Sequence, residues 1–225
     1  MTKLIVALDT HDAGVARSWV QKAGERVNFY KVGLELFSSA GPDFVRWLKN
    51  EGKHVFLDLK FHDIPNTASR AVAAARRLEV DLCTVHAAGG ADMLRACQAE
   101  AGSVKLLAVT VLTSLTEERL QQVGVNRSLP VQVAELAQLA HSQGIAGVIC
   151  APPDLAQLQA LPAEFLRVTP GIRPAGSDSG DQKRIMTPAQ AVRAGASHIV
   201  VGRPITAAPD PVAAAEQILA ELEAV

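Results

Sequence analysis

The sequence predicts a closed (β/α)8 barrel, one domain spanning residues 1–225, with its chemistry at the C-terminal ends of the strands. Two observations carry this prediction. Short apolar, strand-prone runs alternate with longer helix-period segments along the whole chain. The charged residues that interrupt the apolar pattern fall at the ends of those runs.

The first run, Leu4 to Leu8, stops at Asp9, and Ala13 to Ala23 follows as a helix. Phe29 to Val32 carries Lys31 near its end and leads to a helix from Pro42 to Asn50. Proline suits a first helical turn because its missing N–H has no partner there anyway. Val55 to Leu59 forms the third strand, and Pro65 opens a helix reaching Leu78. Leu82 to Val85 runs into His86 and is paired with a helix from Ala91 to Ala101. The remaining units join Leu106 to Val111 with Val131 to Ser142, and Gly147 to Ile149 with Asp154 to Leu161. Leu166 to Val168 precedes Pro188 to Ala194, and His198 to Val201 precedes Pro211 to Glu223. At 225 residues the chain lies at the small end of barrel sizes. A doubly wound open sheet shares the alternation, but Asp9-Thr10-His11-Asp12-Ala13-Gly14 lacks the Gly-x-Gly-x-x-Gly turn such sheets place after strand one.

Composition excludes several classes. With 48% hydrophobic and 20% charged residues the chain reads as globular rather than disordered. A formal net charge of -1 argues against a general nucleic-acid or anionic-membrane binder, and 4% aromatics supply no stacking platform for single strands. The run from Met1 to Asp9 is too short for a signal peptide, and no apolar stretch is long enough to span a bilayer. Cys83, Cys97 and Cys150 are odd in number and widely spaced, as expected of free thiols in a reducing cytoplasm. His54, His62, His86 and His198 show no zinc-binding spacing, and His86 reads as a hydrogen-bonded structural residue near the site.

The chemistry centres on Phe56-Leu57-Asp58-Leu59-Lys60-Phe61-His62-Asp63-Ile64-Pro65-Asn66-Thr67. Side chains of a strand alternate, so Asp58 and Lys60 share one face, with Asp63 just beyond the strand. An exposed ion pair is the bland alternative, but a parallel sheet with covered faces makes charges costly unless a site uses them. Neighbouring carboxylates hold a lysine as an ammonium ion, which suits a proton donor or an electrostatic clamp. Asp9, Lys31, Asp58, Lys60 and His86 all fall at matching strand ends. Gly171-Ile172-Arg173-Pro174 opens a Gly-, Ser- and Asp-rich loop, Ala175 to Asp181, that leads to Gln182 and has the composition of a lid. Gly202-Arg203 follows the last strand, where barrels often bind phosphate, with a backbone N–H and a guanidinium fork to offer.

These motifs, with Val6-Ala7-Leu8-Asp9, Lys31-Val32-Gly33, Val109-Thr110-Val111-Leu112-Thr113-Ser114 and Thr169-Pro170-Gly171-Ile172-Arg173, resemble the orotidine 5'-phosphate decarboxylase family of the compact bacterial type across essentially the whole chain. The resemblance implies loss of CO2 from orotidine 5'-monophosphate to give UMP, the last step of de novo pyrimidine nucleotide synthesis, on a homodimer and without metal or organic cofactor. It implies that Lys60 faces C6 of the pyrimidine and supplies the replacing proton, within a charge network of Lys31, Asp58, Lys60 and Asp63. It further implies that Asp63 and Thr67 reach the partner's site and that Asp9 and Lys31 hold the ribose hydroxyls. Thr113 and Ser114 then contact the pyrimidine, and Arg173, Gln182, Gly202 and Arg203 serve the phosphate end.

Three other readings stay open. Sugar-phosphate lyases resembling 3-keto-gulonate-6-phosphate decarboxylase and hexulose-phosphate synthase share the fold and an Asp-x-Lys-x-x-Asp motif. They hold Mg2+ with carboxylates that include a Glu where this chain has Lys31, and a lysine repels a divalent ion. A non-catalytic nucleotide-binding barrel would have less reason to keep every charge of the network. A Schiff-base aldolase would want Lys60 neutral, against its carboxylate neighbours.

Overall fold

The computed structural model describes residues 2–174 and 184–225. Eight parallel strands close into a barrel in sequence order: β1 (Lys3–Ala7), β2 (Phe29–Gly33), β3 (His54–Phe61), β4 (Leu82–His86), β5 (Lys105–Val109), β6 (Gly147–Ile149), β7 (Leu166–Thr169) and β8 (His198–Val201). The ring closes through β1 against β8, where Leu4 faces Ile199 and Val6 faces Val201. Closure pairs each of the eight strands on both sides and fixes which residues point inward.

Strand alternation divides the apolar residues into two clusters. Ile5, Ala7, Phe29, Phe56, Leu82, Leu107, Val109, Ile149, Val168 and Val200 fill the barrel interior. Their neighbours, among them Leu4, Val6, Val32, Val55, Leu57, Cys83 and Val201, pack outward with helical residues such as Leu36, Val72, Leu94 and Ile218. A strand buried on both sides therefore reads as a continuous apolar run, which is what the sequence shows.

The helices are α1 (Ala13–Ala23), α2 (Leu34–Asn50), α3 (Pro65–Arg77), α4 (Gly90–Ala101), α5 (Glu117–Gln122), α6 (Leu129–Ser142), α7 (Pro188–Arg193), α8 (Arg203–Thr206) and α9 (Pro211–Glu223). Local chemistry starts several of them. Asp12 accepts from the Gly14 and Val15 amides at 2.7 and 3.1 Å, and Asp210 caps α9 through Val212 and Ala213 at 3.0 Å each. The helix predicted from Pro42 begins earlier, at Leu34, but Gly41 interrupts it with φ 65° and Pro42 restarts it. The segment predicted as a helix over Asp154 to Leu161 is instead a 3-10 turn over Pro152–Leu158. Two prolines at its start and only seven residues of length favour the tighter, shorter form. Among the described residues no helix is long and apolar enough to cross a membrane.

Candidate active site

The interior rows of β1, β2 and β3 end in charge. Ile5 and Ala7 lead by alternation to Asp9, Phe29 leads to Lys31, and Phe56 leads to Asp58. The apolar layers form a floor, and the polar ends of the same rows form the wall of the site above it. Lys31 Nζ lies 2.9 Å from Asp9 Oδ1 and 3.6 Å from Asp58 Oδ2. Lys60 Nζ donates to Asp58 Oδ1 at 2.8 Å, so Asp9, Lys31, Asp58 and Lys60 form one chain of alternating charge.

Burial sets the electrostatics. Asp58 is only 9% exposed. Its burial opposes ionisation, but Lys31 and Lys60 outweigh it and hold the Asp58 pKa below the ordinary carboxylate value. Burial likewise opposes the charge of Lys31, and Asp58 and Asp9 overcome it, raising the Lys31 pKa. The two shifts reinforce one another, because each charge is the partner that keeps the other ionised.

Lys60 reaches its place through an irregularity. The β3–β4 register passes from Leu57 opposite Cys83 to Phe61 opposite Val85, so four steps along β3 face two along β4. Lys60 sits in this bulge with φ 52°, a left-handed conformation that costs a non-glycine residue about 1–3 kcal/mol and clusters at functional sites. The Thr84 hydroxyl accepts from the Lys60 amide at 2.8 Å and donates to Asp58 Oδ1 at 3.1 Å. His86, next in the same inward row of β4, stacks on His62 with ring centroids 5.0 Å apart. Burial, then His62 and Lys60, lower the His86 pKa, so the ring is neutral at pH 7.

These residues open onto a cavity of about 420 Å³, within the usual range for small-ligand sites. Asp9, Lys31, Asp58 and Lys60 line it with Thr113, Arg173, Gly202 and Arg203, against apolar Val109, Val111, Ile149, Pro170 and Val200. Arg173 is buried after β7, where its amide donates to the Met186 carbonyl at 2.9 Å. Gly202 packs beside the site: a Cβ there would lie 3.4 Å from Asp9 Oδ2. A larger groove of about 1190 Å³ lies at the opposite, N-terminal end of the barrel, between Lys3, Asn28, His54, Lys105 and His198. Barrel chemistry gathers at the C-terminal end, and the charge chain marks the smaller cavity as the candidate site.

Not every expected residue joins it. Asp63 and Thr67 are exposed at the start of α3, and the Asp63 carboxylate accepts from the Ile64 amide at 2.7 Å rather than from a lysine. Ser114 is exposed beyond Thr113 and outside the cavity lining. Gln182 and the loop Ala175 to Asp181 lie outside the described residues. Two features escaped the sequence reading. One is Thr84, whose signal was a polar residue within the run Leu-Cys-Thr-Val-His of a central strand. The other is a pair beside the site: Arg184 grips Asp154 at 2.6 and 2.9 Å and donates to the Leu112 carbonyl at 3.3 Å, tying the loops after β5, β6 and β7 together. Among the described residues no His, Cys, Asp and Glu cluster is arranged to hold a metal ion.

Comparison with known proteins extends the same pattern over the whole chain. Residues 2–218 match the family described as Orotidine 5'-phosphate decarboxylase / HUMPS. The chain is 51% identical to the orotidine 5'-phosphate decarboxylase of Moorella thermoacetica, covering 99% of this chain and 93% of that one. It is 47% identical to that of Geotalea uraniireducens, covering 99% and 96%. The crystal structure of orotidine 5'-phosphate decarboxylase from Lactobacillus acidophilus superposes with a TM-score of 0.88 at 40% identity, covering 99% of each chain. Similarity of this extent spans every strand of the barrel, and the chain belongs to the orotidine 5'-phosphate decarboxylase / HUMPS family.

Proposed function

We propose that this chain, a single-domain barrel acting in the cytoplasm, converts orotidine 5'-monophosphate to UMP and CO2 as the last step of de novo pyrimidine nucleotide synthesis. The observation that carries the reading is the alternation Asp9, Lys31, Asp58, Lys60 along one wall of the cavity, in a chain whose relatives bear that activity in their names.

The chemistry asks for a fixed positive charge. When the C6 carboxylate leaves as CO2, its bonding electron pair stays on C6, and the ring offers that pair no acceptor of its own. Lys60 meets the need twice: its ammonium stabilises the developing carbanion and then transfers a proton from Nζ to C6, and water returns a proton to the amine afterwards. Asp58 fixes Nζ in place, accepting from it at 2.8 Å, and sets a buried carboxylate directly beside the reacting ammonium. Asp9 and Lys31 hold the ribose hydroxyls, Thr113 the pyrimidine, with Ser114 joining it only if its loop turns inward on the bound base, and Arg173, Gln182, Gly202 and Arg203 the phosphate. Contacts to the distant phosphate contribute binding energy that orients the reacting end.

The complete site takes two subunits in this reading. Residues 62–67 are exposed in succession, with Ile64 at 67%, an unusual display for the end of a catalytic strand. A homodimer covers this surface and carries Asp63 and Thr67 into the partner's cavity, where Asp63 extends the chain beyond Lys60. The Mg2+-dependent sugar-phosphate reading fits less well. Lys31 sits between the carboxylates of Asp9 and Asp58, where such an enzyme would place its cation.

The test follows the absorbance of orotidine 5'-monophosphate with purified protein in EDTA. Rapid loss of substrate absorbance with UMP as product is expected. Absence of turnover in EDTA, with sugar-phosphate decarboxylation on adding Mg2+, would refute the assignment and the reading of Lys31 with it.

A further inference from the structure

We propose that Thr84 is a positioning residue for the reaction, its buried hydroxyl holding the backbone of Lys60 and the carboxylate of Asp58 in one geometry. The inference rests on the roles given above to Lys60 and Asp58.

Thr84 has no solvent exposure, and it lies on β4 in the inward row between Leu82 and His86. A hydroxyl in that row is costly unless both of its functions are used. Both are. Asp58 is an ionised acceptor, so the single hydroxyl proton points to Oδ1 at 3.1 Å, leaving the oxygen lone pairs for the Lys60 amide at 2.8 Å. The same Oδ1 accepts from Lys60 Nζ at 2.8 Å. Lys60 is thus held at its backbone and at its tip by two groups that hold each other.

The site of this clamp is where the sheet needs one. Between Leu57 and Phe61 the β3–β4 ladder loses its regular register, and Lys60 stands at φ 52°. The Thr84 hydroxyl takes the amide proton that a regular strand would give to a neighbouring carbonyl. Relaxation of Lys60 to ordinary extended dihedrals would redirect its side chain, so fixing this backbone fixes where the ammonium points. Orientation of Asp58 follows from the same bond: with Oδ1 committed to Thr84 and Lys60, Oδ2 is the oxygen turned to Lys31 at 3.6 Å. The β-branch of threonine restricts its own χ1, which makes it a stiff strut.

Steady-state decarboxylation and thermal unfolding of Thr84→Val, Thr84→Ala and Thr84→Ser beside wild type test the role. Thr84→Val keeps the shape and loses the hydroxyl. It should lower kcat about ten- to a hundred-fold with KM changed less than about threefold, the scale for a misplaced reacting group. Thr84→Ser restores the hydroxyl and should recover kcat to within about threefold of wild type. Should Thr84→Val fail to fold, Thr84→Ala carries the same comparison with Thr84→Ser. Wild-type kcat in the hydroxyl-free variants, or equal losses with and without the hydroxyl, would overturn the role while leaving the reaction intact. A wild-type protein without decarboxylase activity would overturn the reaction first, and the role of Thr84 with it.

Discussion

Replacing Lys31 with methionine removes one charge from the middle of the chain and keeps most of its buried stem. At 3.6 Å and an effective dielectric constant of about 20, the attraction between Lys31 and Asp58 is about 4–5 kcal/mol. Asp58 keeps Lys60 and Thr84 after the substitution, so only part of that is lost. Asp9, with its side chain 54% exposed, adds no more than about 1 kcal/mol after screening. Lys31→Met should therefore destabilise the fold by about 2–4 kcal/mol at pH 7, a Tm shift of about 4–16 °C for a chain of this size. The pH dependence is the sharper sign. In the wild type the lysines depress the Asp58 pKa, so its stabilisation is present above the unfolded carboxylate value of about 3.9 and is lost as pH falls through the lower folded value. In the variant that carboxylate is buried with less compensation and protonates at higher pH. The deficit should accordingly shrink as pH falls toward 4. Urea unfolding at pH 7 and pH 4, at fixed protein concentration and with m unchanged, measures both quantities. A difference below about 0.5 kcal/mol at pH 7, or one that does not change with pH, would refute the claim that this chain is electrostatically coupled.

Further outcomes follow from single contacts. Gly33→Ala places a Cβ 2.9 Å from Lys31 Nζ at a position whose φ of -95° suits alanine, so the lysine tip must move while the fold is spared. Activity should fall about tenfold or more, with stability changed by less than about 1 kcal/mol, as assays and urea unfolding will report. Arg184→Met leaves the Asp154 carboxylate, 4% exposed, without its cation and should cost about 3–5 kcal/mol in the same unfolding assay. His198 is held neutral, its pKa pushed down to about 4 by burial and by Lys3 and Lys105. Because the unfolded histidine titrates near 6.5, about 3 kcal/mol of stability should be present above that pH and lost as pH falls from 6.5 to 4. His198→Gln should flatten the stability profile in that window, and an unchanged slope would contradict the assignment.

Strand periodicity made the barrel legible. Runs such as Leu4 to Leu8 and His198 to Val201 are apolar on both faces, the signature of strands covered inside and out, and the charges ending them lie where barrels place their chemistry. Short or irregular elements were harder to read. Glu117–Gln122 and Arg203–Thr206 offer too few turns for a helical period to emerge, and Pro152–Leu158 differs from an α-helix by a hydrogen-bond pattern that composition barely encodes. Within the site, alternation suffices to direct Asp9, Lys31 and Asp58 to one wall. The placement of Lys60 depends on a positive φ and a two-residue register gain against β4, and the sequence of one strand reveals neither. Thr84 and the Asp154–Arg184 pair likewise become visible only once separate segments are brought together. Asp63 and Thr67 show the same limit one level higher: they are exposed in the single chain, and the use proposed for them belongs to a dimer that one strand's pattern does not encode.

In the proposed homodimer one catalytic charge chain is assembled from two subunits, and mixing inactive variants tests this most directly. Lys60→Ala and Asp63→Ala, each inactive as a homodimer, would be unfolded, combined in equal amounts, refolded together and assayed for decarboxylation of orotidine 5'-monophosphate. Half of the dimers should be hybrids, and each hybrid holds one intact site and one doubly damaged site, so activity should return to about a quarter of the wild-type value. Activity that stays at the level of the separate variants would contradict the account, placing Lys60 and Asp63 in service of the same subunit's site or removing Asp63 from the chemistry.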